Sequence, residues 1–194
     1  MNALAPTARR PVYEEELEPW GALRIVDLNP DADAETVHAW VSEERARFWG
    51  MLGKPVEEVR DIYRFVDSLD THHAFLVLLD GVPVALFQTY EPLEDPVSEV
   101  YPARAEDIGM HLLLAPPSRP RPRFTPRLVG ALINFMFSDP AIDRIVVEPD
   151  ARNAKALQRL ETTCFDFGPV VQLAEKEAQL AFLTRERYAA ASFA

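Results

Sequence analysis

The sequence has a single cysteine in 194 residues and only seven glycines. One thiol excludes an intramolecular disulfide, which suits a reducing compartment, and a cytoplasmic location is expected. The glycines spell neither GxxxxGK(S/T) nor GxGxxG, so phosphate binding by a P-loop or by a dinucleotide-binding turn is excluded. No apolar run reaches 18 residues and the first twenty residues hold no apolar h-region, so neither a membrane span nor a secretory signal is expected. Positive charge is scarce too: 20 Lys and Arg stand against 31 Asp and Glu, a formal net charge of −11. Such a surface repels nucleic acid, phospholipid headgroups and other polyanions, and favours a cationic small molecule. No serine sits in a GxSxG elbow. His72 and His73 are neighbours that point apart on a strand, so no metal site is expected.

What is present is an apolar share of 48% with three Trp and eleven Phe, enough for a full core. Residues 1–20 carry proline and the acidic run Glu14-Glu15-Glu16 and read as a loose lead-in; residues 21–194 read as a single α/β domain. "LRIVDL" (23–28) predicts a strand. The spacing of Val37, Trp40, Val41 and Glu44 predicts a helix capped by Asp31 or Asp33. Val56, Val59, Ile62, Tyr63 and Val66 predict a second helix beginning at Pro55. Two β-rich runs flank Asp80-Gly81, a strong hairpin signal, and their nearly continuous apolar character places them centrally in a sheet. After a polar loop (91–106) come the strand "DIGMHLLLA" (107–115) and a helix with Thr125 as cap and Pro126 as first residue. The strand "RIVVEPD" (144–150), a further helix and a closing β pair complete a mixed sheet, with parallel strands where β-α-β occurs.

Three places carry residues suited to chemistry. Along 107–115, a period of two puts Asp107, Gly109, His111 and Leu113 on one face and leaves core residues on the other. Gly109 then leaves space beside the His111 imidazole, a general base near pH 7 if the cleft is partly dry; the alternative is a core histidine bonded to a backbone carbonyl. Asp150 ends the next strand, either as a cap competing with Asn153 or as a carboxylate that orients the acceptor or partners His111. Glu148 shares its face. Between them, "SRPRPRFTPR" (118–127) concentrates Arg119, Arg121, Arg123 and Arg127 at a helix start with no acid, which suits a pyrophosphate; the alternative is a solvated, proline-stiffened loop. Trp49, in "RFWGM" (47–51), belongs to the core or to a cleft wall. Cys164 ends a helix and is expected to be packed.

Taken together, "FWGM" (48–51), "DIGMHLLLAP" (107–116), "FSDPAIDRIVVEPDARN" (137–153) and "EKEAQLAFLTRERY" (175–188) resemble the GNAT acyltransferase superfamily. Within it they resemble the siderophore-biosynthesis branch: the hydroxamate-forming enzymes of the aerobactin and desferrioxamine type and the mycobactin lysine acyltransferase. The resemblance implies a GNAT fold, a mixed central sheet with splayed parallel strands flanked by helices. It implies an acyl-coenzyme A donor, acetyl or succinyl, with no metal. The acceptor it implies is a hydroxylated diamine or amino acid: hydroxycadaverine, hydroxyputrescine, hydroxylysine or hydroxyornithine. His111 and Asp150 match the family's active-site pair. Coenzyme A contacts are implied for Leu113, Leu114, Arg119, Arg121, Arg123, Thr125, Arg127 and Asn153, and acceptor contacts for Trp49 and Glu148. A monomer or weak dimer acting beside other pathway enzymes is expected, without nucleic acid or membrane. Two departures stand out: the usual Q/R-x-x-G-x-G/A loop is replaced by "APPSRPRPRFTPR", and "TTCFDF" stands where relatives have Gly-Phe. The competing readings are an acetyltransferase for ordinary amines such as aminoglycosides or lysine side chains, a long-chain acyl enzyme with an apolar tunnel beside His111, and a non-catalytic acyl-coenzyme A binding module.

Overall fold

The computed structural model describes residues 6–116 and 121–191. Its strands are β1 (Tyr13–Leu17), β2 (Gly21–Asp27), β3 (His72–Leu79), β4 (Val82–Tyr90), β5 (Asp107–Leu114), β6 (Arg144–Val147), β7 (Asp166–Gln172) and β8 (Glu177–Thr184). The helices are α1 (Pro30–Val41), α2 (Val56–Asp67), α3 (Phe124–Phe137), α4 (Ala154–Thr162) and α5 (Arg185–Ala190), with a short 3₁₀ helix at Glu44–Trp49. The strands form one mixed sheet in the order β1-β2-β3-β4-β5-β6-β8-β7. By packing, the chain falls into two compact units that divide inside β5: Met1–Thr89 with His111–Arg121, and Tyr90–Met110 with Pro122–Ala194.

In the first unit, β1 pairs antiparallel with β2, and β2 with β3. The acidic stretch expected to be loose is therefore an edge strand, with Glu14 and Glu16 exposed and Leu17 buried. Charged side chains on an edge discourage pairing with other chains. The turn between β3 and β4 has positive φ at both Asp80 (49°) and Gly81 (79°), the conformation that Asp-Gly favours in two-residue hairpins. α1 is capped by Asn29, whose side chain accepts from the N–H groups of Asp31 and Ala32. Neither expected cap serves. Asp33 instead points back to the N–H of Asn29 and forms a buried ion pair with Arg9. Val26, Val37, Trp40, Val41, Val59, Tyr63, Leu76, Leu78, Leu86 and Leu113 join α1, α2 and the sheet in one core, each contributing about 1.5–3 kcal/mol by leaving water.

In the second unit, β5 and β6 run parallel, but their ladder spans only Asp107–Arg144, Ile108–Ile145 and Gly109–Val146. β5 itself runs on to Leu114. The first rung is locked by charge: Arg144 donates through Nε and Nη2 to the two oxygens of buried Asp107, both at 2.7 Å. The Tyr101 hydroxyl donates to the same carboxylate at 3.0 Å. The guanidinium also lies 5.0 Å from the centre of the Phe182 ring. β6 continues antiparallel into β8, and β8 into β7.

α3 corrects the expected boundary. It begins at Phe124 behind a left-handed Arg123 (φ 61°), so Thr125 and Pro126 lie in the first turn and no side chain caps the helix. Proline is compatible with that turn, where its missing N–H has no intrahelical partner to lose. Among the described residues no helix is long and apolar enough to cross a membrane.

Candidate active site

His111 lies past the end of the parallel ladder, on β5, and is half-buried. Its ring meets the Trp49 indole edge to face, with centroids 6.2 Å apart and planes at 77°. Trp49 ends the 3₁₀ helix, and its indole N–H donates to the Tyr63 hydroxyl at 3.2 Å. Of the other β5 residues, Leu113 is buried in the core of the first unit, which leaves only its backbone for a ligand. The Leu114 carbonyl accepts from Arg45 at 2.5 Å.

The space expected beside Gly109 is already taken. A Cβ there would sit 2.0 Å from Cζ of Tyr90, so glycine is what lets that ring pass beneath the strand. The Tyr90 hydroxyl donates to Oε2 of Glu148 at 2.7 Å. Burial, followed by the Glu148 charge, pushes the Tyr90 phenol well above its ordinary pKa, so it stays a neutral donor. Glu148 is itself buried, and Lys176 reaches its other oxygen at 3.4 Å. Of the face expected to be plain core, only Met110 is fully buried; Ile108, Leu112 and Leu114 are half-buried.

Asp150 makes an isolated bridge to Ala178 and is buried. Asn153 caps α4, accepting from the N–H of Ala156, so Asp150 is not the cap. Its Oδ1 accepts from the backbone N–H and Nε of Arg152, both at 2.9 Å, and Oδ2 from Nη2 at 2.7 Å. These bonds outweigh burial and hold the carboxyl at about pKa 2. The Arg152 side chain is 78% exposed. Asp150 is thus a permanent anion near neutral pH, with an exposed cation over it.

Among the loop arginines, Arg123 is the left-handed residue before α3 and Arg127 lies in that helix's first turn, while Arg121 belongs to the first unit. Arg119 lies outside the described residues. No group of three or more His, Cys, Asp or Glu side chains among the described residues has the geometry of a metal site. The sequence singles out His111, Asp150, Glu148 and Trp49 as candidates; the structure adds their neighbours Tyr63, Tyr90, Arg152 and Lys176. In the sequence Tyr63 is one residue of an apolar stripe. Tyr90 is 58 positions from Glu148, a separation that no local pattern spans.

Residues 29–173 match the acetyltransferase (GNAT) domain. The N-hydroxyputrescine acetyltransferase of Acinetobacter baumannii is 24% identical over 179 residues, 92% of this chain and 85% of its own length. The hydroxyornithine transacylase SID3 of Ajellomyces capsulatus is 26% identical over 157 residues, 78% of this chain and 36% of its own. The aminoglycoside acetyltransferase AAC(6')-Ib, solved with coenzyme A and kanamycin, superposes with a TM-score of 0.75 at 21% identity, covering 87% of this chain and 98% of that one.

Proposed function

The chain belongs to the GNAT acetyltransferase family, and on that premise we propose that it acylates an N-hydroxylated diamine or amino acid from acyl-coenzyme A to form a hydroxamate. One observation carries the choice of acceptor. The two relatives, matched over most of this chain, are named for hydroxyputrescine and hydroxyornithine. The class of enzyme, an acyl-coenzyme A-dependent N-acetyltransferase of GNAT type, follows from the family itself.

The amino end of α3, where Arg123 and Arg127 add charge to a helix terminus without a side-chain cap, has the chemistry to hold a diphosphate. The thioester lies against the part of β5 beyond the parallel ladder, where backbone N–H groups polarise its carbonyl. The hydroxylamine nitrogen is largely neutral at pH 7 and attacks the carbonyl carbon directly. As the C–N bond forms, His111 takes the proton lost from nitrogen. The tetrahedral intermediate then breaks its C–S bond, and the thiolate is protonated and leaves as free coenzyme A. The N–OH group is retained in the product.

Asp150 cannot serve as the base, because a carboxyl held at about pKa 2 accepts almost no proton at neutral pH. It remains a fixed negative charge.

The test is free-thiol release from acetyl- and succinyl-coenzyme A, with N-hydroxyputrescine and N-hydroxycadaverine beside the plain diamines. Turnover that requires the N-hydroxyl supports hydroxamate formation. Equal or faster turnover of plain amines moves the protein to the ordinary N-acetyltransferases, and tight coenzyme A binding without turnover makes it a binding module.

A further inference from the structure

We propose that Tyr63 is a positioning residue for the reaction: its hydroxyl sets the orientation of the Trp49 indole, and the indole sets the His111 imidazole. The inference rests on the reading of His111 as the base.

The three residues come from three kinds of backbone: Tyr63 from a helix, Trp49 from a short 3₁₀ turn and His111 from a strand. Tyr63 projects from the middle of α2 into the first unit's core and is 2% exposed. Trp49 is the last residue of a short 3₁₀ helix, followed by Gly50 and Gly53 with φ of 79° and 77°. A short 3₁₀ turn that runs into left-handed glycines has little backbone ladder to hold a large side chain still. What holds the indole is its N–H bond to Tyr63 at 3.2 Å, together with packing on the core. The ring so held meets His111 edge to face.

The hydroxyl is the informative atom. A phenylalanine at 63 would fill nearly the same core volume, and burying a hydroxyl is costly unless it is used. Burial keeps this phenol neutral, well above its ordinary pKa, so its oxygen remains a steady acceptor. A general base must point at the departing proton within a narrow range of distance and angle. A loose indole would widen the imidazole's range of orientations without altering how the donor binds.

The experiment is a double-mutant cycle with acetyl-coenzyme A and N-hydroxyputrescine, comparing Tyr63→Phe, Trp49→Phe and the double variant. Tyr63→Phe is expected to lower kcat by about two- to tenfold, the worth of one hydrogen bond, with KM for acetyl-coenzyme A unchanged. On the Trp49→Phe background, which has no indole N–H, it should have no further effect. If the two losses multiply in full, Tyr63 does not act through Trp49 and the proposal fails.

A second readout needs no turnover. In NMR spectra, Tyr63→Phe should shift both the Trp49 indole N–H and the His111 ring signals, and unmoved His111 signals would overturn the proposal. Full activity in His111→Ala would defeat the reading of His111 as base while leaving the spectroscopic relay intact, so the two failures are distinguishable.

Discussion

At Asp150, three hydrogen bonds from one arginine decide the chemistry of a carboxyl that burial alone would have pushed the other way. A folded-state pKa of about 2, against an ordinary 3.8, means the group stabilises the fold above about pH 4 and loses that contribution as pH falls toward 2. With the guanidinium largely in solvent, screening keeps that contribution small. Acid unfolding followed by circular dichroism should therefore show Asp150→Asn less stable than the parent at pH 6, with the difference closing by pH 2. His111 makes a separate prediction. His111→Ala should lower kcat by about 10²–10⁴ with the fold intact, as expected for removal of a general base, measured by thiol release; unchanged turnover would remove it from the mechanism. Both residues were legible in the sequence because each sits in a distinctive local string, "GMH" and "EPD". Tyr90 and Tyr63 were not, since each acts on a residue that only the folded chain brings near.

Element ends were the hardest features to read, for reasons that differ from case to case. Thr125-Pro126 has the composition of a helix start, yet α3 begins two residues earlier because Arg123 adopts the left-handed turn that redirects the chain. Asn29 outcompeted two aspartates for α1 because it directly precedes Pro30, whose fixed φ starts the helix. β1 was missed because three consecutive glutamates mask an alternation visible only in burial, where Glu14 and Glu16 are exposed and Leu17 is inside. At the end of α4, Cys164 has φ of 62°, a left-handed conformation that glycine adopts without penalty. Its carbonyl accepts from Arg187 at 2.7 Å, which helps hold the turn in place. Cys164→Gly should remove the left-handed penalty and stabilise the protein by about 1 kcal/mol, read as a rise in Tm of about 2–4 °C. A fall in Tm would mean that the thiol's packing outweighs the backbone strain.

For the whole molecule, the mixed sheet, its parallel step and the central hairpin followed from the order of periodic segments. The division of packing inside β5 did not, because periodicity shows where a strand runs and not which core each half serves. We propose that the chain nevertheless unfolds as one domain, because β5 cannot lose its Asp107–Met110 half without freeing the His111–Leu114 half. Urea unfolding followed by tryptophan fluorescence and by far-ultraviolet circular dichroism should give coincident transitions. All three tryptophans lie in the first unit, so a second unit that melted alone would separate the two curves.

The ring of Tyr90 beneath Gly109 also constrains how this sequence can change over generations. Gly109→Ala alone drives a methyl group to 2.0 Å from a buried ring, an overpacking of about 1–3 kcal/mol or more, visible as a lowered urea midpoint. Tyr90→Leu made first opens room for that methyl but gives up the bond to Glu148. The two positions therefore form an epistatic pair with an ordered path: the aromatic must leave before the side chain can arrive. Lineages that keep the carboxylate's phenol donor are bound to keep the glycine as well.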